Sequence, residues 1–479
     1  MNPLVFILGI PVAAALVFAI VPSYRIAARL NVLSSLLTFA ASLVPFFARP
    51  ATTAFFLIDD FNIYLLALTA FVAFTTSLFS ARYILHEVEI GRLQPRYLRF
   101  YHSMFQSFVF TMLLALSANN LGVMWVAVEG ATLATVLMVG LYRTPEALEA
   151  SWKYFILCGV GIALALFGTT LMYLAAEPVV GMGLPAMTWS VLLPEVAKFS
   201  PAILNLAFVF LLVGYGTKVG LAPLHAWLPD AHAEGPTPIS AVLSGLLLNV
   251  AIYAVLRFKI LLAGNPHAIA PGPLMVTMGL GSLLLASFML YRRRDIKRLF
   301  AYSSIEHMGI ITFAFGMGGA LANFAGLLHM TMHSLTKSAI FFAVGHVSQL
   351  KGTQKIAEIR GLTASQPLLG WALVIGVVAI AGLPPFGLFM SEFLVVSSTF
   401  ARAPLLALPL VVGLLVGFGA IMLRLEGLAF GPGEGGGGGK ASGVALLPLF
   451  VHLALVFVAG LYLPGALVSW FQNVARLLG

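Results

Sequence analysis

Gly216-Thr217-Lys218-Val219-Gly220-Leu221-Ala222-Pro223-Leu224-His225-Ala226-Trp227-Leu228-Pro229-Asp230-Ala231-His232-Ala233-Glu234-Gly235-Pro236-Thr237-Pro238-Ile239-Ser240-Ala241 is the stretch whose reading decides the fold. It ends an apolar run with a lysine and then interrupts the chain at Pro223, Pro229, Pro236 and Pro238. Proline removes a backbone donor and clashes with the preceding turn. A helix broken in this way at membrane depth is tolerated only where protein or water satisfies the freed carbonyls. A second apolar stretch is broken at its middle by Gly382-Leu383-Pro384-Pro385-Phe386-Gly387.

The membrane setting follows from composition, because 60% of the residues are apolar, 9% are charged and Phe alone supplies 37 of 479. A soluble chain of this length needs far more charge to cover its surface. The net charge of +9 does not indicate nucleic acid, since the basic residues are scattered through short inter-helix loops. The single cysteine, Cys158, excludes an intrachain disulfide and any thiolate set for an iron–sulfur cluster or a Cys-based zinc site. No metal or cofactor is therefore expected on this chain. Two enzyme-like patterns fail: His232-Ala-Glu234 lacks the Cys pair of a zinc deaminase. The Gly433–Lys440 run has Glu434 and Ala441 where a phosphate loop needs Gly and Ser or Thr, so it reads as a flexible loop.

Apolar stretches of about 20 residues match a hydrocarbon core of roughly 30 Å. They predict an all-α polytopic membrane protein with about fourteen spans, near 3–21, 30–48, 61–81, 103–118, 121–141, 154–176, 202–222, 238–258, 274–291, 300–318, 321–348, 368–400 with a break, 404–425 and 444–464. Residues 1–20 lack a basic n-region and are read as the first retained span. The seventh and twelfth spans are the broken ones. They lie five spans apart, an odd number, so a five-helix repeat has to be inverted in the membrane. The expected units are 1–102, a first repeat 103–260, an inverted repeat 274–425 and a C-terminal helix with an amphipathic tail, 444–479. The tail either lies on the membrane surface or packs on a neighbour. Placing the N-terminus outside puts eighteen Lys and Arg on the inner side, among them Arg292, Arg293, Arg294, Lys297, Arg298 and Lys440. Six remain outside: Arg49, Lys198, Arg257, Lys259, Arg402 and Arg476. That asymmetry is the positive-inside pattern.

Four full charges, Glu129, Lys218, Lys337 and Glu392, fall within these spans, with His329 and His333 on the turns before Lys337. Each costs about 2.5–3.5 kcal/mol on insertion scales, so an ionisable residue there is a functional candidate. Residues 329, 333 and 337 recur at i, i+4 and i+8 and share one helix face. Burial and a nearby opposite charge act in contrary senses on Lys and Glu, so a pair of variable separation can load and release a proton. Structural readings stand beside this one. Glu129 with Lys218 is also what a packing ion pair would look like, the histidines are compatible with plain hydrogen-bonded packing, and Glu392 could cap the second half of the broken twelfth helix. Glu306 and His307 are expected near the inner surface as an entrance-side, solvated pair. His225, Asp230, His232 and Glu234 either line an inner entrance or are ordinary loop polarity.

The 216–241 segment, together with Arg294-Asp295-Ile-Lys297-Arg298-Leu-Phe-Ala-Tyr302-Ser303-Ser304-Ile-Glu306-His307-Met-Gly309 and His329-Met-Thr-Met-His333-Ser-Leu-Thr-Lys337, resembles the proton-translocating antiporter-like subunits. Such subunits occur in respiratory complex I, membrane-bound [NiFe]-hydrogenases and multisubunit cation/proton antiporters. The wording Asp230-Ala-His232-Ala-Glu234-Gly-Pro236, followed by Leu243-Ser-Gly-Leu-Leu-Leu-Asn249, is most similar to the hydrogenase-4 component F subfamily. The resemblance implies that Glu129 and Lys218 form the fifth- and seventh-helix pair, that Lys337 with His329 and His333 forms the eleventh-helix site, and that Glu392 is the acidic terminal site. Where some relatives place a lysine or histidine in the eighth helix, this chain has Asn249 and Ser244; Asn cannot titrate. The resemblance further implies a multi-pass cytoplasmic-membrane subunit moving H⁺, with Na⁺ as a second candidate. Its partners would be other antiporter-like subunits and hydrophilic redox subunits holding a [NiFe] centre and iron–sulfur clusters. Two alternatives stand: a subunit of a cation/proton antiporter or inorganic-carbon uptake complex without redox partners, and a structural membrane anchor.

Overall fold

The computed structural model describes residues 2–21, 23–431 and 443–479, with backbone only at 95, 96, 98, 99 and 444. Three predicted inner charges, Lys440 and the side chains of Arg96 and Arg99, lie outside the described residues, as does the Gly433–Lys440 run. The described chain is helical throughout, without a β-strand. Every one of the apolar stretches read from the sequence falls on helix. Among the described residues nine helices are by themselves long and apolar enough to cross a membrane, or ten if the bent pair Leu447–Leu461 and Gly465–Leu477 counts as one span. The others fall short for different reasons: Gly319–Lys351 buries the polar His329, His333 and Lys337, whereas Pro367–Ile380 is apolar but has only 14 residues. This is a multi-pass membrane protein.

Several helices outrun their apolar cores. Pro145–Val180 has 36 residues, because Thr144 caps its first turn and Pro145 occupies a position where no N–H is needed. Asp59 and Asn62 form a reciprocal capping box at the start of Asp60–Glu89. Both predicted breaks are present: one separates Pro201–Val219 from Trp227–Glu234, the other Pro367–Ile380 from Gly387–Arg402. Gly220, at φ +81°, ends the first half in the left-handed conformation that favours glycine. In Thr237–Ala263 the segment Leu243–Leu247 is a π-helical turn, which offsets the hydrogen-bonding pattern by one residue.

Glycines set the closest helix pairs. A Cβ at Gly279 would stand 2.5 Å from the Phe313 amide nitrogen, and one at Gly309 would stand 2.7 Å from the Gly279 carbonyl. Gly214 meets the backbone of Ala165 and Gly161 in the same way. Small residues let backbones touch where lipid gives no hydrophobic drive for association.

Three basic residues assigned to loops prove to be buried. Arg257 is 1% exposed and makes a bidentate pair with Asp59, at 2.7 and 2.9 Å. Lys259 donates to the Leu478 carbonyl at 2.9 Å. Lys297 donates to the Ala233 and Gly235 carbonyls at 2.9 and 2.7 Å, satisfying the end of Trp227–Glu234. Lys297 sits in the first turn of its helix, and Arg257 and Lys259 lie one to two turns before the end of Leu248–Ala263; from there each long side chain reaches an acid or an open carbonyl instead of water. The tail also departs from expectation. Gly465–Leu477 bends 82° from the preceding helix and packs on the chain's own Asp60–Glu89 and Gly319–Lys351 helices. Phe471 and Val474 are buried there, and Trp470 donates to the Asp60 carbonyl at 2.9 Å.

Candidate functional site

Leu121–Val139, capped by the Asn120 side chain, carries Glu129 and, one turn later, Thr132. The Thr132 hydroxyl donates to Glu129 Oε2 at 3.0 Å and accepts a short hydrogen bond from Lys218 Nζ. The two charges expected to pair are thus joined through one hydroxyl. Lys218 is fully buried near the end of Pro201–Val219, its ammonium 5.0 Å from the Tyr154 ring centre, and Tyr154 OH in turn lies 2.6 Å from Thr135 Oγ1. Glu129 itself is only half-buried.

A second group surrounds Lys337. Its ammonium donates to the Phe300 carbonyl at 2.9 Å, which also accepts from Ser304 Oγ at 3.0 Å. Ser304 Oγ lies 2.7 Å from Ser244 Oγ on the π-helical turn. Asn249 Nδ2 donates to Ser334 Oγ at 2.7 Å, and Ser334 donates to the Gly245 carbonyl at 2.5 Å. Where a titratable eighth-helix residue was missing, hydroxyl and amide groups therefore tie that helix to the Lys337 helix. Hydroxyls both donate and accept, and so can pass a proton on without ionising.

Glu306 and His307 correct the sequence reading. They are 4% and 2% exposed, at the centre of the second group and not at a solvated entrance. The helix begins at Ile296, four residues before the expected start at 300, so these residues lie about three turns in. His307 Nδ1 is 3.0 Å from His329 Nε2 and 3.9 Å from Glu392 Oε1. His329 Nδ1 is 2.9 Å from Ser391 Oγ, and the His333 ring lies 5.6 Å from that of His307. Ser287 donates to Glu306 Oε1 at 3.2 Å. Glycines make room for both carboxylates: a Cβ at Gly417 would fall 1.7 Å from Glu306 Oε1, and one at Gly382 would fall 2.0 Å from Glu392 Oε2. Glu392 is the sixth residue of Gly387–Arg402, whose N-cap is Phe386, so it is not that helix's cap. Among the described residues His307, His329 and Glu392 form the one set of three His, Cys, Asp or Glu side chains whose ligand atoms lie within 4.8 Å of one another.

The four loop candidates separate. Asp230 pairs with Arg298 at 2.6 Å and Lys153 at 3.2 Å, and Glu234 pairs with Arg298 at 3.2 Å, a partly exposed ionic clasp. His225 is half-buried in the break beside Tyr302. His232 is fully buried and stacked on Phe341 at 4.9 Å, so it lines no exposed entrance. Sequence reasoning missed Thr132, Ser391, Ser304 and Ser334. Thr132 and Ser391 were within reach, one turn after Glu129 and immediately before Glu392; the other two depend on which helices meet.

Residues 118–417 match the family described as NADH:quinone oxidoreductase/Mrp antiporter, TM. The chain is 62% identical over 468 residues to a hydrogenase-4 component F homolog of Methylacidiphilum infernorum, covering 98% of each. A chain of the membrane-bound sulfane sulfur reductase, an archaeal respiratory membrane complex, superposes with a TM-score of 0.87 at 21% identity, over 98% of this chain and 96% of that one. A chain of respiratory complex I from Thermus thermophilus gives 0.82 at 23% identity over 100% of both. These two likenesses concern the fold. The protein belongs to the NADH:quinone oxidoreductase/Mrp antiporter transmembrane family and is a proton-translocating antiporter-like membrane subunit related to hydrogenase-4 component F.

Proposed function

We propose that protons move through this chain along a row running from Glu129 and Thr132 to Lys218, across Ser244 and Asn249 to Lys337, and on through Glu306, His307 and His329 to Glu392, with His333 beside the last steps. One observation carries the reading: acids, bases and hydroxyls, all of them buried or half-buried, stand in contact on both sides of the π-helical turn. Burying so many ionisable groups for packing alone is costly, and several of their atoms, including both nitrogens of His333, have no protein partner. Residues 237–252 hold no titratable side chain, so internal water completes the step from Lys218 to Ser244.

In this reading the chain is one subunit of a redox-driven assembly in the cytoplasmic membrane, with its N-terminus outside and two inverted repeats, 103–260 and 274–425. The name borne by the 62% identical relative supports a membrane-bound hydrogenase. The [NiFe] centre and iron–sulfur clusters then reside in hydrophilic partner subunits, and electron transfer there drives H⁺ here. Replacing Lys218 or Lys337 with Ala in the reconstituted assembly tests the row. Intact assembly with proton pumping lowered at least tenfold is expected; unchanged pumping in both variants refutes it and favours an anchor. Copurification without any redox subunit would favour an antiporter.

A further inference from the structure

The geometry points to a zinc site at His307, His329 and Glu392 whose occupation by Zn²⁺ plugs the row. Hydrogen bonds settle which nitrogen is free. Ser391 Oγ donates to the Leu388 carbonyl at 2.8 Å, so at its 2.9 Å contact with His329 it accepts, and His329 carries its proton on Nδ1. The His329 Nε2 lone pair is left facing His307 Nδ1, 3.0 Å away. A metal-bound imidazole whose other N–H is held by an outer partner is the usual arrangement in protein metal sites.

The ligand atoms are spaced for a small ion. Bonds of about 2.0–2.2 Å in a tetrahedron separate neighbouring ligand atoms by about 3.4 Å. Here His307 Nδ1 stands 3.0 Å from His329 Nε2 and 3.9 Å from Glu392 Oε1, and all three atoms fit within 4.8 Å. His333 lies one turn after His329, on the spacing that puts two imidazoles on one face. It is fully buried, and neither of its nitrogens has a protein partner. Two imidazoles and one carboxylate favour Zn²⁺ over Mg²⁺ or Ca²⁺, which take oxygen ligands.

Binding needs no co-reactant. The His307 proton moves from Nδ1 to Nε2, which also has no protein partner, and Zn²⁺ takes the vacated lone pair. Glu392, with 14% of its side chain exposed beside the break at Gly382, offers the approach. Once bound, the ion occupies the lone pairs that link His307, His329 and Glu392, so the row is cut there. Zinc affinity is independent of conduction, and a chain that never conducts would still bind.

The test uses the purified assembly, stripped with chelator and titrated with Zn²⁺ or Mg²⁺, with zinc content and zinc-edge X-ray absorption as readouts. One Zn²⁺ per chain in a shell of at least two imidazoles and one carboxylate is expected, with no competition from Mg²⁺. His329→Gln and Glu392→Gln should lose that ion, while His267→Gln, on an exposed loop, should keep it. Ser391→Ala removes only the outer partner of His329 and should weaken binding about ten- to a hundredfold. An unstripped partner zinc is excluded by comparison with the variants. Absence of bound Zn²⁺, or an unchanged zinc edge in a His329→Gln assembly that copurifies intact, or an unchanged zinc affinity in Ser391→Ala, overturns the site.

Discussion

Replacing Thr132 with Val exchanges one hydroxyl for a methyl of similar shape and leaves the helix otherwise intact. That hydroxyl joins Lys218 Nζ to Glu129 Oε2, so its loss removes one hydrogen bond from each of two ionisable groups. A hydrogen bond to a charged group is worth about 1.5–3 kcal/mol. If that interaction is made as the proton crosses, the step slows about 10- to 150-fold, at tenfold per 1.36 kcal/mol. Dye-monitored proton uptake by proteoliposomes holding the assembled complex measures the rate, with copurification of partner subunits as the check on folding. Thr132→Ser, which keeps the hydroxyl, should retain most of the activity. Wild-type uptake in Thr132→Val, or equal impairment in both variants, would refute the bridging role.

Other outcomes follow from the same geometry. Gly417→Ala places a methyl 1.7 Å from Glu306 Oε1, whereas Gly427 on the same helix has nothing within 4 Å; the first variant should lose about 1–3 kcal/mol and most proton uptake, and Gly427→Ala neither, by thermal unfolding and the same uptake assay. Asn249→Leu breaks the donations to Ser334 and the Met330 carbonyl, at a cost of about 1–3 kcal/mol, and should slow uptake without dissociating partners. Asp59 supplies a pH test. Burial pushes its carboxyl up, but the Arg257 guanidinium and the Asn62 and Phe61 amides override this and hold it below the usual carboxylate range. A depressed folded value contributes stability fully above the unfolded value of about 3.9, and that contribution is lost as pH falls through the folded value. The Tm gap between wild type and Asp59→Asn should therefore be full at pH 7 and shrink below about pH 4; a gap that widens in acid would contradict the pairing.

The helical membrane architecture was legible because apolar run length is a local property, as were the breaks, since proline acts on its own backbone. Four intramembrane charges and the eleventh-helix histidines were also visible one residue at a time. Glu306 and His307 were misplaced because their helix starts within a polar stretch, Ile296-Lys297-Arg298, that lengthens it below the apolar core. Arg257, Lys259 and Lys297 looked like loop charges because their partners, Asp59, Leu478 and Ala233, are remote in sequence. The Ser244–Ser304 and Asn249–Ser334 contacts depend on helix pairing and on one π-helical turn, neither of which local periodicity encodes.

Backbone contact at Gly279 and Gly309 has a mechanical meaning. With no side chain between them to act as a cushion, Pro271–Leu290 and Ile296–Met317 cannot slide past one another without carbonyls colliding with amides, so they behave as one stiff double rod. Glu306 and His307 ride on that rod, less than one turn from the weld at Gly309. Any change in their separation from Lys337 or Glu392 must come from torsions of the side chains themselves or from displacement of the opposite helices.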